Sequence, residues 1–185
     1  MCKSNYFNRI LVIYTVGEQM RQGVIKCGIC NGPLSVHGCY CRHILDEDGK
    51  RRDGWIAQGC CAACKKYPAI IPDFIMPYKH YEAAVIESAI SKVEEEGLRL
   101  SECPADECTI RRWASQFHER GTRAAGALQS ILFRVQGRHV SILDIYNKGL
   151  LKQLDYLARV IQGKQTGGVI GRVNAILTIY NSGYL

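Results

Sequence analysis

Two cysteine pairs carry the strongest chemical signal in the chain. Cys27-Gly28-Ile29-Cys30 and Cys61-Ala62-Ala63-Cys64 both have the C-x2-C spacing. A pair so spaced closes a tight turn that aims both sulfurs at one point, and two such turns supply the four thiolates of a tetrahedral structural zinc site. The expectation is one structural Zn2+ held by Cys27, Cys30, Cys61 and Cys64. Thirty residues separate the pairs, more than a usual ribbon spacing, but a hairpin between them would bring them together. Gly28 and Gly32 are candidates for the left-handed backbone such turns need.

Other groups leave the ligand set open. Cys60 adjoins Cys61, so the register of the second pair is ambiguous. His37, Cys39, Cys41 and His43 lie between the pairs and would alternate onto one face of a strand, where a second metal is conceivable. A redox C-x-x-C is the competing chemistry, but that motif normally stands once and beside a βαβ pattern, which this sequence lacks. Cys2, Cys103 and Cys108 read as plain cysteines.

Ten cysteines in 185 residues would suit a secreted disulfide scaffold if an export signal were present. The only candidate is the apolar run Ile10–Val16, which lacks a small-residue cleavage site and is too short to span a bilayer. It reads as a buried strand over Ile10–Tyr14, and the expected setting is cytoplasmic, with no membrane partner.

The elements that must position the cysteines are β-like. Val36–Leu45 and Gly54–Gln58 read as strands around an Asp46-Glu47-Asp48-Gly49-Lys50 turn, after a helical turn at Gly17–Gln22. Pro68, Pro72 and Pro77 make residues 65–78 an extended connector. From Tyr81 the period becomes helical. Val85, Ile86, Ala89, Ile90 and Val93 form a stripe ending before Gly97. Ile110, Trp113, Ala114 and Phe117 form a second, between an N-cap at Asp106 and a stop at Gly121. Leu128, Ile131, Leu132 and Val135 mark a third helix, and Leu143, Tyr146, Leu150, Leu154, Leu157 and Ile161 a fourth. Val169, Val173, Ile176, Leu177 and Tyr180 mark a fifth, after a Gly167-Gly168 break. The fold class is α+β, a small β-rich zinc ribbon followed by a mainly helical region. The expected divisions are 1–78, 79–121 and 122–185.

Charge suggests a partner. The net charge is +7, made of +5 over residues 1–80, −4 over 81–104 and +6 over 105–185. This suits a polyanion and reads as two positive surfaces flanking an acidic helix. Within the second helix Thr109, Arg111, Arg112, Ser115 and Gln116 are the candidate DNA-binding residues. Arginine can grip a guanine edge or a phosphate, glutamine can reach adenine, and Thr109 lies where unpaired backbone N–H groups favour phosphate. The two arginines read as lacking an acid four residues away. The segment resembles the recognition helix of a helix-turn-helix, although the Gly97–Ala105 connection is longer than the usual turn.

Cys61-x-x-Cys64, Pro72-Asp73-Phe74, Pro77-Tyr78 and Thr109-Ile110-Arg111-Arg112-Trp113 together resemble an uncharacterised bacterial zinc-ribbon family associated with insertion-sequence transposases. The likeness covers roughly residues 6–120, including Gly17-Glu18 and the Cys27 pair, and the PDF…PY connector is its most specific part. It implies a transposase-type ribbon, a helix-turn-helix-like segment around Thr109–Trp113 and an association with mobile elements, without a reaction. Cys60, Cys39 and Cys41 depart from the family pattern and raise the chance of additional metal ligation.

The expected function is therefore a zinc-containing, non-catalytic DNA-binding protein of a mobile element, acting as a transposase accessory or repressor. Its partners would be double-stranded DNA and a transposase or a second copy of itself, with no small-molecule substrate. A catalytic transposase needs three metal-binding carboxylates on a nuclease-like α/β core, for which no strand pattern exists after residue 105. The alternative is a zinc-stabilised protein-interaction adaptor, with the Tyr146–Ile161 stripe as its seam.

Overall fold

The computed structural model describes residues 3–72, 74–97, 103–137, 148–163 and 168–180. The chain divides into two compact units, Met1–Leu45 with Arg51–His80, and Asp46–Lys50 with Tyr81–Leu185. The expected boundary at 78/79 falls close to this division, whereas 121/122 lies inside a helix.

The first unit opens with helix α1, Lys3–Arg21. This corrects the strand expected at Ile10–Tyr14. From Arg9 onward Val12, Ile13, Val16, Gly17 and Met20 are the sheltered positions without charge, and that spacing is helical. A short apolar run does not by itself choose between strand and helix; what decides here is a surface on which α1 can lie. It packs on β1 (Leu34–Leu45) and β2 (Arg51–Cys61), and β3 (Ala69–Ile70) completes an antiparallel sheet in the order β1-β2-β3. A Cβ on Gly17 would stand 3.0 Å from a Val36 methyl, and one on Gly59 3.2 Å from the Met20 methyl, so both glycines permit the close helix–sheet approach.

The β1–β2 hairpin has the expected turn. Gly49 takes φ 72°, and the Asp46 carboxylate accepts the N–H groups of Asp48 and Lys50 at 3.1 and 2.8 Å. A bulge between Val36 and Gly38 shifts the register. Among the described residues two small apolar clusters flank the sheet, one on each face. Met20, Cys27, Leu34 and Cys61 form one, and Ile44, Ile56 and Ile75 the other.

In the second unit α2 (Ala83–Glu96), α3 (Glu107–Gln136), α4 (Leu150–Gln162) and α5 (Val169–Ile179) pack against one another. The Val85–Val93 stripe forms α2 and ends at Gly97 as expected, and Asp106 caps α3. The stop expected at Gly121 does not occur. Gly121 is buried within α3, where a Cβ would stand 2.8 Å from a Leu150 methyl, so it is a helix–helix contact rather than a terminator. Two expected helices are thus one helix of 30 residues. Leu143, Tyr146, Gly167 and the middle of the Gly97–Ala105 connection lie outside the described residues, as does Asp73 of the PDF motif.

Carboxylates on α2 fasten two of these helices. The Glu94 carboxylate accepts the N–H groups of Leu150 and Leu151 at 3.0 and 3.3 Å, and Glu87 accepts those of Val169 and Ile170 at 3.0 and 2.8 Å. Helix N-termini carry unpaired donors and a positive dipole end, so each carboxylate serves as a cap supplied from a neighbouring helix. Gly149 and Gly168 make room, since a Cβ on either would stand under 3 Å from a carboxylate oxygen. Of the acids over 81–104, Glu87 and Glu94 serve as caps, and Glu95, still exposed, pairs with Lys152 at 2.7 Å.

Burial pushes the Glu87 carboxyl up from its usual range, outweighing the N–H groups of Ile170 and Val169 and the charge of Arg172, while Asp155 adds to the rise. Glu87→Ala orphans two part-buried donors and is expected to cost roughly 1–3 kcal/mol. Glu87→Gln keeps an acceptor without a buried charge and should cost less, as chemical denaturation of the two variants would show.

Candidate metal centre

The two cysteine turns are built alike. In the first, Asn31 N–H donates to Cys27 C=O at 2.7 Å and Cys27 N–H to Gly32 C=O at 2.9 Å. In the second, Lys65 N–H donates to Cys61 C=O and Cys61 N–H to Lys66 C=O, both at 3.0 Å. The left-handed residue of each turn directly follows its second cysteine: Asn31 at φ 59° and Lys65 at φ 58°. This corrects the expectation for Gly28 and Gly32, neither of which has a positive φ. Asparagine tolerates that region, and lysine is held in it by the paired turn bonds. Gly32 is needed for space instead. A Cβ there would stand 3.2 Å from Ala63 Cβ and 3.3 Å from the Sγ atoms of Cys30 and Cys61.

The bridge between Lys26 and Pro33 closes the first turn, and the second joins β2 to the strand return at Pro68. The register sets Leu34 of β1 opposite Cys61 of β2 and so delivers the turns to the same end of the sheet. All four sulfurs lie within 4.8 Å of one another. The contacts Cys27–Cys64 at 3.6 Å and Cys30–Cys61 at 3.4 Å run across the two pairs. Four thiolates around zinc at about 2.3 Å stand about 3.8 Å apart in a tetrahedron. The donor set, its spacing and its shelter fit such an ion, with Cys27 and Cys61 buried and Cys30 at the surface. A cross-linked foursome suits one metal rather than two separate redox pairs, and no disulfide occurs among the described residues.

The register of the second pair is resolved. Cys61 faces the cluster, while strand alternation turns Cys60 to the other side of β2, outside the sulfur group. The backbone N–H of Cys64 draws the Cys61 thiol down to about 6, helped by Cys30 and by the N–H of Ala63, against its burial. Cys64 goes the other way, to about 12. The N–H of Lys66 lowers it, but burial and the adjoining sulfurs prevail. Without a metal the crowded sulfurs cannot all ionise together; a divalent cation removes that conflict.

The other candidate residues lie on α3. Ile110, Trp113 and Phe117 are buried, with Trp113 edge-on to Tyr81 at 5.0 Å, and Arg111, Arg112 and Ser115 are exposed. Two expectations are corrected. Arg111 has an acid four residues away and pairs with Glu107. Thr109 is not open to phosphate, because its N–H and hydroxyl both donate to the Asp106 carboxylate, at 2.9 and 2.7 Å. Gln116 is half-buried. His37 stands apart from the sulfurs, with its ring 4.7 Å from that of Tyr67.

Fold and site together define a chain with a four-cysteine cluster able to hold a metal ion at one end of a three-stranded antiparallel sheet, joined in sequence to a helical unit. A family model described as Domain of unknown function (DUF6431) matches residues 27–113, from the first cysteine of the centre to Trp113 of α3. No curated protein and no solved structure matches the chain. No helix among the described residues is long and apolar enough to cross a membrane.

Cys61→Ser should abolish stoichiometric metal binding and Cys60→Ser should leave it intact, as read by elemental analysis of the purified chain. Gly32→Val, which pushes a branched side chain at two sulfurs, should weaken binding in a competitive chelator titration with the ligands unchanged. Chelation of the wild-type metal should remove the β signal from circular dichroism while much of the helical signal persists.

Proposed function

We propose that the chain is a zinc-stabilised, non-catalytic DNA-binding protein, with zinc at the four cysteines organising the first unit and α3 supplying the polyanion contact. One observation carries this reading. Arg112, Arg123 and Arg134 recur at eleven-residue intervals on α3 and are all exposed. Eleven residues is close to three turns, so the guanidinium groups form one line with steps of about 16 Å.

Ser115, Gly126 and Ser130 lie near that line and are exposed. Their small side chains leave room for a phosphate backbone to approach. Five arginines against two glutamates give α3 a net +3. Arg123 pairs with Glu119, and Arg111 with Glu107, at exposed i,i+4 positions. Such pairs are worth only about 0.3–0.5 kcal/mol, little enough to be exchanged for phosphate. Arg112 and Ser115 come from the residues expected in sequence; Arg123 and Arg134 extend the contact along the helix. A helix-turn-helix is not required by this reading. The resemblance to a transposase-associated family supports a place among mobile-element proteins, as an accessory or regulator.

The adaptor reading has its own support in α1, which exposes Ile10, Leu11 and Tyr14 side by side. Salt separates the two. A DNA binder loses affinity for random duplex steeply as salt rises, through counterion release. Substituting Arg112, Arg123 and Arg134 together by Ala should flatten the slope of log affinity against log salt by about 2.7, at roughly 0.9 per phosphate contact. Absence of duplex binding at low salt by a folded, metal-loaded chain would reject DNA binding in favour of the adaptor.

A further inference from the structure

We propose that Cys41, His43 and Asp53 form a second metal site, which takes one zinc-type divalent ion through three protein ligands and leaves a coordination position open. The hairpin makes this site by register. Cys41 and His43 stand two residues apart on β1 and so share a face, and Asp53 of β2 is the direct partner of His43 across the ladder. The three donor atoms lie within 4.8 Å of one another, and His43 Nδ1 is 2.6 Å from Asp53 Oδ1.

The donors are a sulfur, an imidazole nitrogen and a carboxylate oxygen. That mixture suits zinc and its first-row neighbours, whereas calcium and magnesium prefer oxygen alone. Binding would release the thiol proton of Cys41, and His43 would ligate as a neutral imidazole through Nδ1 with its proton on Nε2. A thiolate, a carboxylate and a neutral imidazole then balance the two positive charges of the ion. His43 and Asp53 are exposed and Cys41 half-buried, so the ion would have a face towards solvent. Closed structural sites fill all four positions with protein, whereas three protein ligands leave room for water or an exogenous ligand.

The site is separate from the four-sulfur centre. Cys41 pairs with Trp55, and Trp55 to Cys61 is six residues of strand, about 20 Å. Cys39 and His37, candidates from the sequence alongside Cys41 and His43, are not in the group. The bulge between Val36 and Gly38 disturbs the alternation next to His37, and the third donor comes from the opposite strand instead.

Cobalt titration of the metal-free full-length chain tests this. Two binding phases are expected. The first should have the strong thiolate charge-transfer absorption of four sulfurs, and the second a weaker band from one. Cys41→Ser, His43→Asn and Asp53→Asn should each abolish or weaken the second phase at least tenfold and leave the first, which also reports that the fold is intact. A single phase with four-sulfur absorption, or a second phase unchanged in any of the three variants, overturns the proposal. A one-sulfur phase without the four-sulfur phase would refute the zinc reading of Cys27, Cys30, Cys61 and Cys64 while leaving this site standing.

Discussion

Four sulfurs brought within 4.8 Å of one another are the constraint around which the first unit is organised. As thiolates they repel, and as thiols they waste their position; a divalent cation makes the cluster favourable. Among the described residues the apolar clusters that flank the sheet are small, and two of the four cysteines, Cys27 and Cys61, are themselves members of one of them. The cysteine cluster and this part of the core thus share residues. Met20 of α1 closes it from one side and Leu34 of β1 from another.

The turns that present the sulfurs are near copies of one another although their sequences differ. Each takes its left-handed residue directly after the second cysteine, and each returns the N–H of its first cysteine to the chain five residues on. Conformation here follows from the paired turn bonds more than from local preference: Lys65 adopts a backbone that lysine seldom visits. Gly32 shows the complementary case, a glycine valued for its missing Cβ rather than for its φ.

A different device orders the helical unit. Glu87 and Glu94 lie seven residues apart, one heptad on α2, and each engages the N-terminus of a later helix. A carboxylate satisfying two backbone donors both caps and locates the helix it meets, because the donors point along one axis. Buried apolar faces drive the association of the helices, and these polar clamps select which end meets which.

The convergence of Cys27, Cys30, Cys61 and Cys64 was readable from residues 27–64 because C-x2-C encodes its own turn, so that the local geometry of each pair is specified within four residues. The hairpin turn at Asp46–Lys50, the α2 stripe and the Asp106 cap were readable for the same reason, since each depends on neighbours in sequence. Other features needed the tertiary structure. The choice between Cys60 and Cys61 depends on which face of β2 meets the other turn, and the nearness of Asp53 to Cys41 and His43 on strand register. The helical state of Ile10–Tyr14 depends on a sheet to lie against, and the continuity of α3 through Gly121 on Leu150 filling the space beside it. The capping roles of Glu87 and Glu94 were not legible because the donors they serve lie more than 50 residues away. Local propensities are properties of the sequence; the partner that decides between two permitted outcomes is a property of the fold.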